Sequence, residues 1–187
     1  MDVRLLAFDL DGTFLAPDKS VTPRARRAVE LLRERGIEPV PTTGRVYQTL
    51  FDRVLGMDGF RYAIAANGAV VLDVEGGRFL RRRGIEATVA EGLGLWHAAS
   101  EAGNIEIAPA GASKASGLAT LCSKLGIPLA QVCAIGDGGN DAAMLREAGL
   151  GVAMGNAIPE ALAAADEVAP TNAEDGFADF VERRLLG

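Results

Sequence analysis

Val3–Phe8 is an apolar run broken only by Arg4. Such a run suits a strand covered on both faces, as in a parallel sheet. Short strands are also predicted at Ile37–Pro41, Tyr62–Ala66, Val132–Ile135, Gly151–Met154 and Glu167–Val168. Between them the apolar period lengthens. Pro23–Arg35 puts Ala25, Ala28, Val29 and Leu32 on one face, with a Thr22-Pro23 start and a Gly36 stop, which together spell a helix. Further helices are predicted over Val46–Leu55, Ser113–Leu125 and Asn140–Ala148, and near Pro159–Ala164 and Ala173–Leu185. Strands alternating with helices imply an α/β fold, a doubly wound (Rossmann-like) parallel sheet.

One stretch, about Gly68–Ala110, breaks this rhythm. Asn67-Gly68 is a hairpin signal leading into Val70–Asp73, and Gly76-Gly77 turns the chain again into Arg78–Arg83. Glu86–Ala102 has helical composition despite Gly92 and Gly94, and Ile105–Ala108 reads as a short strand. The chain is therefore read as a sheet with a small inserted hairpin and helix, its core being residues 1–83 and 112–187 and its inserted cap segment 84–111.

Composition narrows the function classes. The 187 residues are 49% hydrophobic and 24% charged, which describes an ordinary globular chain. With 23 glycines and only 5% aromatics, tight strand–helix turns are favoured over an aromatic-rich sandwich. A formal charge of −6 argues against a nucleic-acid backbone as partner. It leaves phosphorylated substrates open, because a bound divalent cation reverses the local field. Cys122 and Cys133 are too few for a disulfide framework and read as core fillers. The start MDVRLLAFDLDG does not read as a signal peptide, and no apolar stretch reaches spanning length, so the expectation is a cytoplasmic protein without membrane contact.

Three polar clusters follow directly on predicted strands: Asp9-Leu10-Asp11-Gly12-Thr13, Thr42-Thr43-Gly44-Arg45, and Gly136-Asp137-Gly138-Gly139-Asn140-Asp141. Ligands of open parallel sheets bind at the carboxyl ends of the strands, where strand order reverses. Clusters far apart in sequence can therefore meet there. The first offers two carboxylates, the second a hydroxyl and turn amides, the third two more carboxylates one helical turn apart. Four carboxylates in one crevice repel unless cations compensate. The compensators expected are a hard, oxygen-seeking ion such as Mg²⁺ and a lysine, with Lys114 the candidate.

FDLDGT resembles the first motif of the haloacid dehalogenase-like superfamily, TTGR the second, Lys114 within Ala112-Ser113-Lys114 the third, and GDGGND the fourth. The wider phrases FDLDGTFLAPDKSVTPRARRAVELLRERGI, ANGAVV, VAMGNA with Ala165-Asp166, and Asn172 to Gly176 are similar to the Cof-type sugar-phosphate phosphatases. The resemblance covers about residues 3–83 and 105–185. It implies a phosphomonoester hydrolase in which Asp9 is the nucleophile and forms an aspartyl-phosphate, with Asp11 as general acid and base. It implies that Mg²⁺ is held by Asp9, Asp11 through its backbone carbonyl, and Asp137, with Asp141 orienting waters or Lys114. Thr43, Gly44, Lys114 and Asn140 would bind the phosphoryl group, with Asn67 a weaker candidate.

Each residue also has a plainer reading. Asp9 could simply end a strand, and Asp141 could be a helix-start acid favoured by the dipole. Thr43-Gly44 could be an empty turn, and Asn67-Gly68 is favoured as a hairpin turn alone. His97, beside Trp96 on the inserted helix, reads as a packing or surface residue, Arg81–Arg83 as a solvated strand end that could face a phosphorylated substrate, and Met144 and Met154 as core.

Cof-type proteins carry a substantial cap between the third and fourth core strands, whereas Gly84–Gly111 leaves 28 residues for it. The cap is therefore strongly shortened. Either a neighbouring subunit covers the site, with Leu93, Leu95 and Trp96 as anchors, or the crevice stays open to large phosphorylated substrates and those residues pack on the chain's own core; a homo-oligomer is the expectation. Two other functions share the chemistry. In a phosphotransferase or phosphomutase the aspartyl-phosphate passes to a second hydroxyl. A phosphate-accepting regulatory domain keeps its acceptor on a central strand and needs no Asp11.

Overall fold

The computed structural model describes residues 2–45, 54, 60–82, 95–99 and 105–187, with the backbone alone for 95–99 and 105–108. Five strands form one parallel sheet. These are β1 (Leu5–Phe8), β2 (Glu38–Pro41), β8 (Val132–Gly136), β9 (Leu150–Ala153) and β10 (Glu167–Val168), in the order β10-β9-β8-β1-β2. β1 pairs in parallel with both β2 and β8.

The apolar run of β1 is buried on both sides, as its pattern predicts. Leu6 and Phe8 face one core layer with α1 (Pro23–Glu34) and the C-terminal segment, while Leu5 and Ala7 face the other with α2 (Lys114–Leu125) and α3 (Ala142–Glu147). α1 starts as expected: the Thr22 hydroxyl accepts from the Ala25 N–H at 3.0 Å, and Pro23 occupies the first turn. Under the sheet's carboxyl end, Phe8, Phe14 and Phe177 form a triangle of rings 4.9–5.1 Å apart. Phe14 lies in the loop after β1, so these contacts anchor that loop to the core.

The strand expected next in the parallel sheet, β3 (Tyr62–Ala65), instead begins a separate antiparallel sheet with β4 (Val70–Asp73) and β5 (Arg78–Arg82). Its link to β2 is one bridge, Thr42 to Ile64, with the Thr43 N–H donating to the Ile64 carbonyl at 2.9 Å. The cause lies in β2 itself. Glu38 and Thr42 turn their N–H groups toward β1. The intervening Pro39 and Pro41, which would serve β3, have no N–H.

Three further expectations need correction or qualification. Helix is predicted over Glu86–Ala102, but Leu95–Ala99 is a strand, β6, paired antiparallel with β7 (Ile105–Pro109). Gly92, Gly94 and Gly103 weaken a helix there, and cross-strand pairing overrides composition. Trp96 and His97 thus lie on a strand. The final helix is also divided: a 3₁₀ turn (Asn172–Glu174), then α5 (Gly176–Phe180), then a π-type turn (Val181–Leu186). Asp175 interrupts it with φ +56°. The helix expected over Val46–Leu55 lies outside the described residues except for Val54, which is buried. The remaining short helix, α4 (Pro159–Leu162), falls where expected. Among the described residues no helix is long and apolar enough to cross a membrane.

Candidate active site

The chain passes from β1 to β2 on one side, and β8 lies on the other side of β1. Strand order therefore reverses between β1 and β8, and their carboxyl ends open a crevice there. Asp9 follows β1, its N–H still bonded to the Ile135 carbonyl of β8 at 2.9 Å, and Asp137 follows β8. Residues far apart in the sequence thus become neighbours.

Lys114 supplies the cation. It is the first residue of α2, behind a capping box in which Ser113 and Ser116 exchange hydrogen bonds. The ammonium is buried and donates to Asp9 Oδ1 and to Asp141 Oδ1, both at 2.6 Å. Close backbone approach sets the helix in place. A Cβ on Gly68, whose φ is +79°, would stand 2.0 Å from the Ser113 carbonyl oxygen, and one on Gly117 would stand 2.8 Å from the Gly68 Cα.

Asp141 stands at the start of α3, yet its side chain makes no helix cap. It turns back, so that Oδ2 accepts from the Asp137 and Gly138 N–H groups at 3.0 and 2.9 Å. Asp137 is fixed from the other side by the Thr13 hydroxyl, which donates to Oδ1 at 2.8 Å. One oxygen from each of Asp9, Asp137 and Asp141 falls within 4.8 Å of the others.

The electrostatics of this cluster are unbalanced. Burial pushes Asp9 well above the usual carboxylate range; Lys114 opposes the shift, and Asp141 and Asp137 add to it. Burial and the Asp141 charge push Asp137 up to about 6. Burial alone would discharge Lys114, but Asp141 and Asp9 hold it protonated, raising it above its ordinary value. One ammonium, bonded to Asp9 and Asp141, stands against three close carboxylates, a cluster of hard oxygen donors with fewer cations than acids. That donor set fits a small divalent cation such as Mg²⁺.

Asp11 is placed differently. Its carboxylate lies outside the three-acid group, gripped by the Arg45 guanidinium through Nε–Oδ2 and Nη2–Oδ1 bonds of 2.6 Å each, with Lys19 Nζ 3.0 Å from Oδ1. Half-burial works to raise Asp11, but the hydrogen bonds and charges of Arg45 and Lys19 prevail and hold it below the usual range. Thr43 is buried, and its hydroxyl accepts from the Arg45 N–H at 3.2 Å. Gly44 lies beside it in a half-buried bend. Asn140 is buried and donates to Asn67 Oδ1 at 3.1 Å. Asn67 occupies the predicted turn between β3 and β4, and it also reaches the crevice.

Arg45, Lys19 and Thr13 were not singled out as site residues in the sequence, although Thr13 and Arg45 sit inside the quoted motifs. Their role emerges from partners 34 and 124 residues away. Arg81, read as a solvated strand end, instead bonds the Ser116 carbonyl and hydroxyl and the Thr120 hydroxyl of α2.

Comparison with known proteins identifies the family. The haloacid dehalogenase-like hydrolase family profile matches residues 6–94 and 95–181. A 5-amino-6-(5-phospho-D-ribitylamino)uracil phosphatase of Bacillus subtilis is 28% identical over 242 aligned positions, spanning 100% of this chain and 97% of the relative. A phosphoglycolate phosphatase of Methanopyrus kandleri is 32% identical, with 97% of each chain covered. A haloacid dehalogenase-like hydrolase from B. subtilis superposes with a TM-score of 0.86 at 24% identity, covering 97% of this chain and 100% of that one. The two profile matches, 6–94 and 95–181, span nearly the whole sequence, and the chain belongs to the haloacid dehalogenase-like hydrolase family.

Proposed function

We propose that the chain is a magnesium-dependent phosphomonoester hydrolase that works through an aspartyl-phosphate on Asp9. The observation that carries this reading is the Lys114 bridge. It fixes Asp9 Oδ1 at the strand-order switch and ties it to the Asp141 side chain that shapes the Asp137 loop. Asp9, Asp137 and the Asp11 backbone carbonyl would hold Mg²⁺, with Asp141 behind them. When bound, the ion supplies compensation for the phosphoryl charge and orients the transferring group.

The protein's own groups then divide the work. Asp9 Oδ2 forms a bond to phosphorus as the ester P–O bond breaks, and Asp11 gives its proton to the departing oxygen. Water next attacks phosphorus and passes a proton to Asp11. The P–O bond to Asp9 breaks, restoring the carboxylate and releasing phosphate. Thr43, Gly44, Lys114 and Asn140 lie around the crevice as donors for the phosphoryl oxygens.

The substrate class proposed is a phosphorylated sugar or other small metabolite, with the chain acting in the cytoplasm. The names of the two relatives, a ribitylaminouracil phosphate and phosphoglycolate, support small phosphate esters as a class without choosing among them. Residues 84–111 are read as a shortened cap, with a second subunit covering the crevice or the crevice left open to large phosphorylated substrates. The shortening is supported by the alignment to the B. subtilis relative, which runs over 242 positions against a chain of 187.

Steady-state phosphate release from p-nitrophenyl phosphate tests the reading. Multiple turnovers that stop in excess chelator and return with Mg²⁺ are expected. A single stoichiometric labelling without turnover would favour a regulatory acceptor, and transfer to an added sugar hydroxyl a phosphotransferase.

A further inference from the structure

The loop after β1 is tied down by two asparagines to which no role has yet been given. Asn156, in the turn after β9, donates from Nδ2 to the Gly12 carbonyl at 2.9 Å. Its Oδ1 accepts from the Asn172 N–H at 2.9 Å, and the Asn172 Nδ2 donates to the Leu15 carbonyl at 2.9 Å. Asn156 is exposed, yet both ends of its carboxamide are engaged by backbone 144 and 16 residues away. The two partners also dictate its orientation, because a carbonyl requires the amide nitrogen and an N–H requires the oxygen.

What these bonds hold is the peptide against which Asp137 rests. Gly12 has φ +85°, and a Cβ there would stand 2.2 Å from Asp137 Oδ2, so the bare backbone abuts that carboxylate. The next residue, Thr13, donates to the other oxygen of Asp137. Both oxygens of Asp137 are therefore positioned by Gly12-Thr13, and Gly12-Thr13 is fastened by Asn156. Within the loop, Thr13, Phe14 and Leu15 spend their N–H groups on the Leu10 and Asp9 carbonyls. Asn156 is the side chain that secures the Gly12 carbonyl.

We propose that Asn156, backed by Asn172, is a positioning residue for the metal site: its strap across the Gly12 and Leu15 carbonyls sets the orientation of the Asp137 carboxylate and thereby the affinity for Mg²⁺. The inference rests on the reading that Asp137 holds Mg²⁺. Distant partners of ligating carboxylates act this way because a ligand free to rotate must be ordered again when the ion binds. Asn156 touches none of the three acids, so its effect passes entirely through the loop.

Calorimetric titration of Mg²⁺ into chelator-stripped protein, paired with melting curves of the same samples, tests this without any assay of turnover. Asn156→Ala should weaken Mg²⁺ binding about 10-fold while leaving the metal-free Tm near wild type, because the side chain is exposed. Asn172→Ala keeps its backbone N–H on Asn156 but loses Leu15, and should weaken binding in the same direction by less. It also serves as the test should Asn156→Ala fold poorly. Thr13→Val, which removes the hydroxyl from Asp137, marks the direct effect. Affinity within about twofold of wild type in both asparagine variants, alongside a clear loss in Thr13→Val, would overturn the strap. Absence of Mg²⁺ binding by the wild type would overturn the metal reading itself, a separate failure.

Discussion

Arg45 grips Asp11 through two parallel 2.6 Å hydrogen bonds, one to each carboxylate oxygen, although the two residues belong to different strand-end loops. A forked guanidinium fixes both the position and the plane of a carboxylate and favours its ionised form. Asp11 therefore rests as a proton acceptor, the state that the hydrolytic half of the proposed reaction uses. To act on a leaving group it must first take a proton and slacken the fork.

Asp11→Asn should separate the two halves. Alkyl phosphates, which need a proton on the leaving oxygen, should slow by about 10²–10⁴-fold. With p-nitrophenyl phosphate, whose leaving group departs as an anion, one equivalent of nitrophenol should appear in a burst before a slow steady rate. Stopped-flow absorbance distinguishes these, and unaltered rates on both substrates would remove Asp11 from the mechanism.

Asp9→Asn should abolish turnover and acid-stable labelling by a phosphorylated substrate. Because burial drives the Asp9 carboxyl well above its usual range, the ionised side chain is a burden on the metal-free fold at neutral pH. The variant should therefore melt at or above the wild-type temperature. Retained phosphate release would refute the nucleophile.

Lys114 is the hub of the buried charges, and its removal leaves Asp9 and Asp141 without their shared cation. Lys114→Met should cost about 3–5 kcal/mol, the usual penalty for orphaning one side of a buried pair. Asp141→Asn in the same chain should then cost less than it does alone, since the carboxylate it removes is already unpaired. Denaturant melts of the four proteins in this cycle give the coupling; strict additivity would contradict the bridge.

Glu38 offers a pH test away from the site. Burial raises its pKa, with Arg33 and Arg61 opposing, and its Oε1 is buried without a hydrogen-bond partner. A carboxyl whose folded pKa is raised contributes full stability below its unfolded value, and that contribution is lost as pH rises through the folded value. Glu38→Gln, which cannot ionise, should therefore be more stable than wild type at neutral pH, by about 1 kcal/mol or less. The gap should shrink toward pH 4 in parallel melting curves. A gap constant with pH would show that charge is not its cause.

Much of the fold and of the acid cluster was legible in the sequence because both are written in local chemistry. The apolar run at Val3–Phe8, broken only by Arg4, suits a strand covered on two faces, and the buried Leu5, Leu6, Ala7 and Phe8 divide between two core layers. Thr22-Pro23 and Gly36 marked the ends of α1 through caps that involve neighbouring residues. Acids and glycines directly after strands announced the crevice, since the carboxyl ends of a parallel sheet share one side of the molecule.

What the tertiary structure decided depended on partners remote in sequence. Pro39 and Pro41 look like ordinary strand residues until β3 arrives beside them and finds no N–H to pair with, which leaves one bridge between two sheets. Leu95–Ala99 has a composition that permits helix, and only its pairing with Ile105–Pro109 made it a strand. Asp141 could have capped a helix; Lys114 and the Asp137 loop turned it inward. Arg45 and Asn156 sit inside TTGR and VAMGNA, but nothing local names their partners, because a polar side chain takes its meaning from the carboxylate or carbonyl that the fold brings to it.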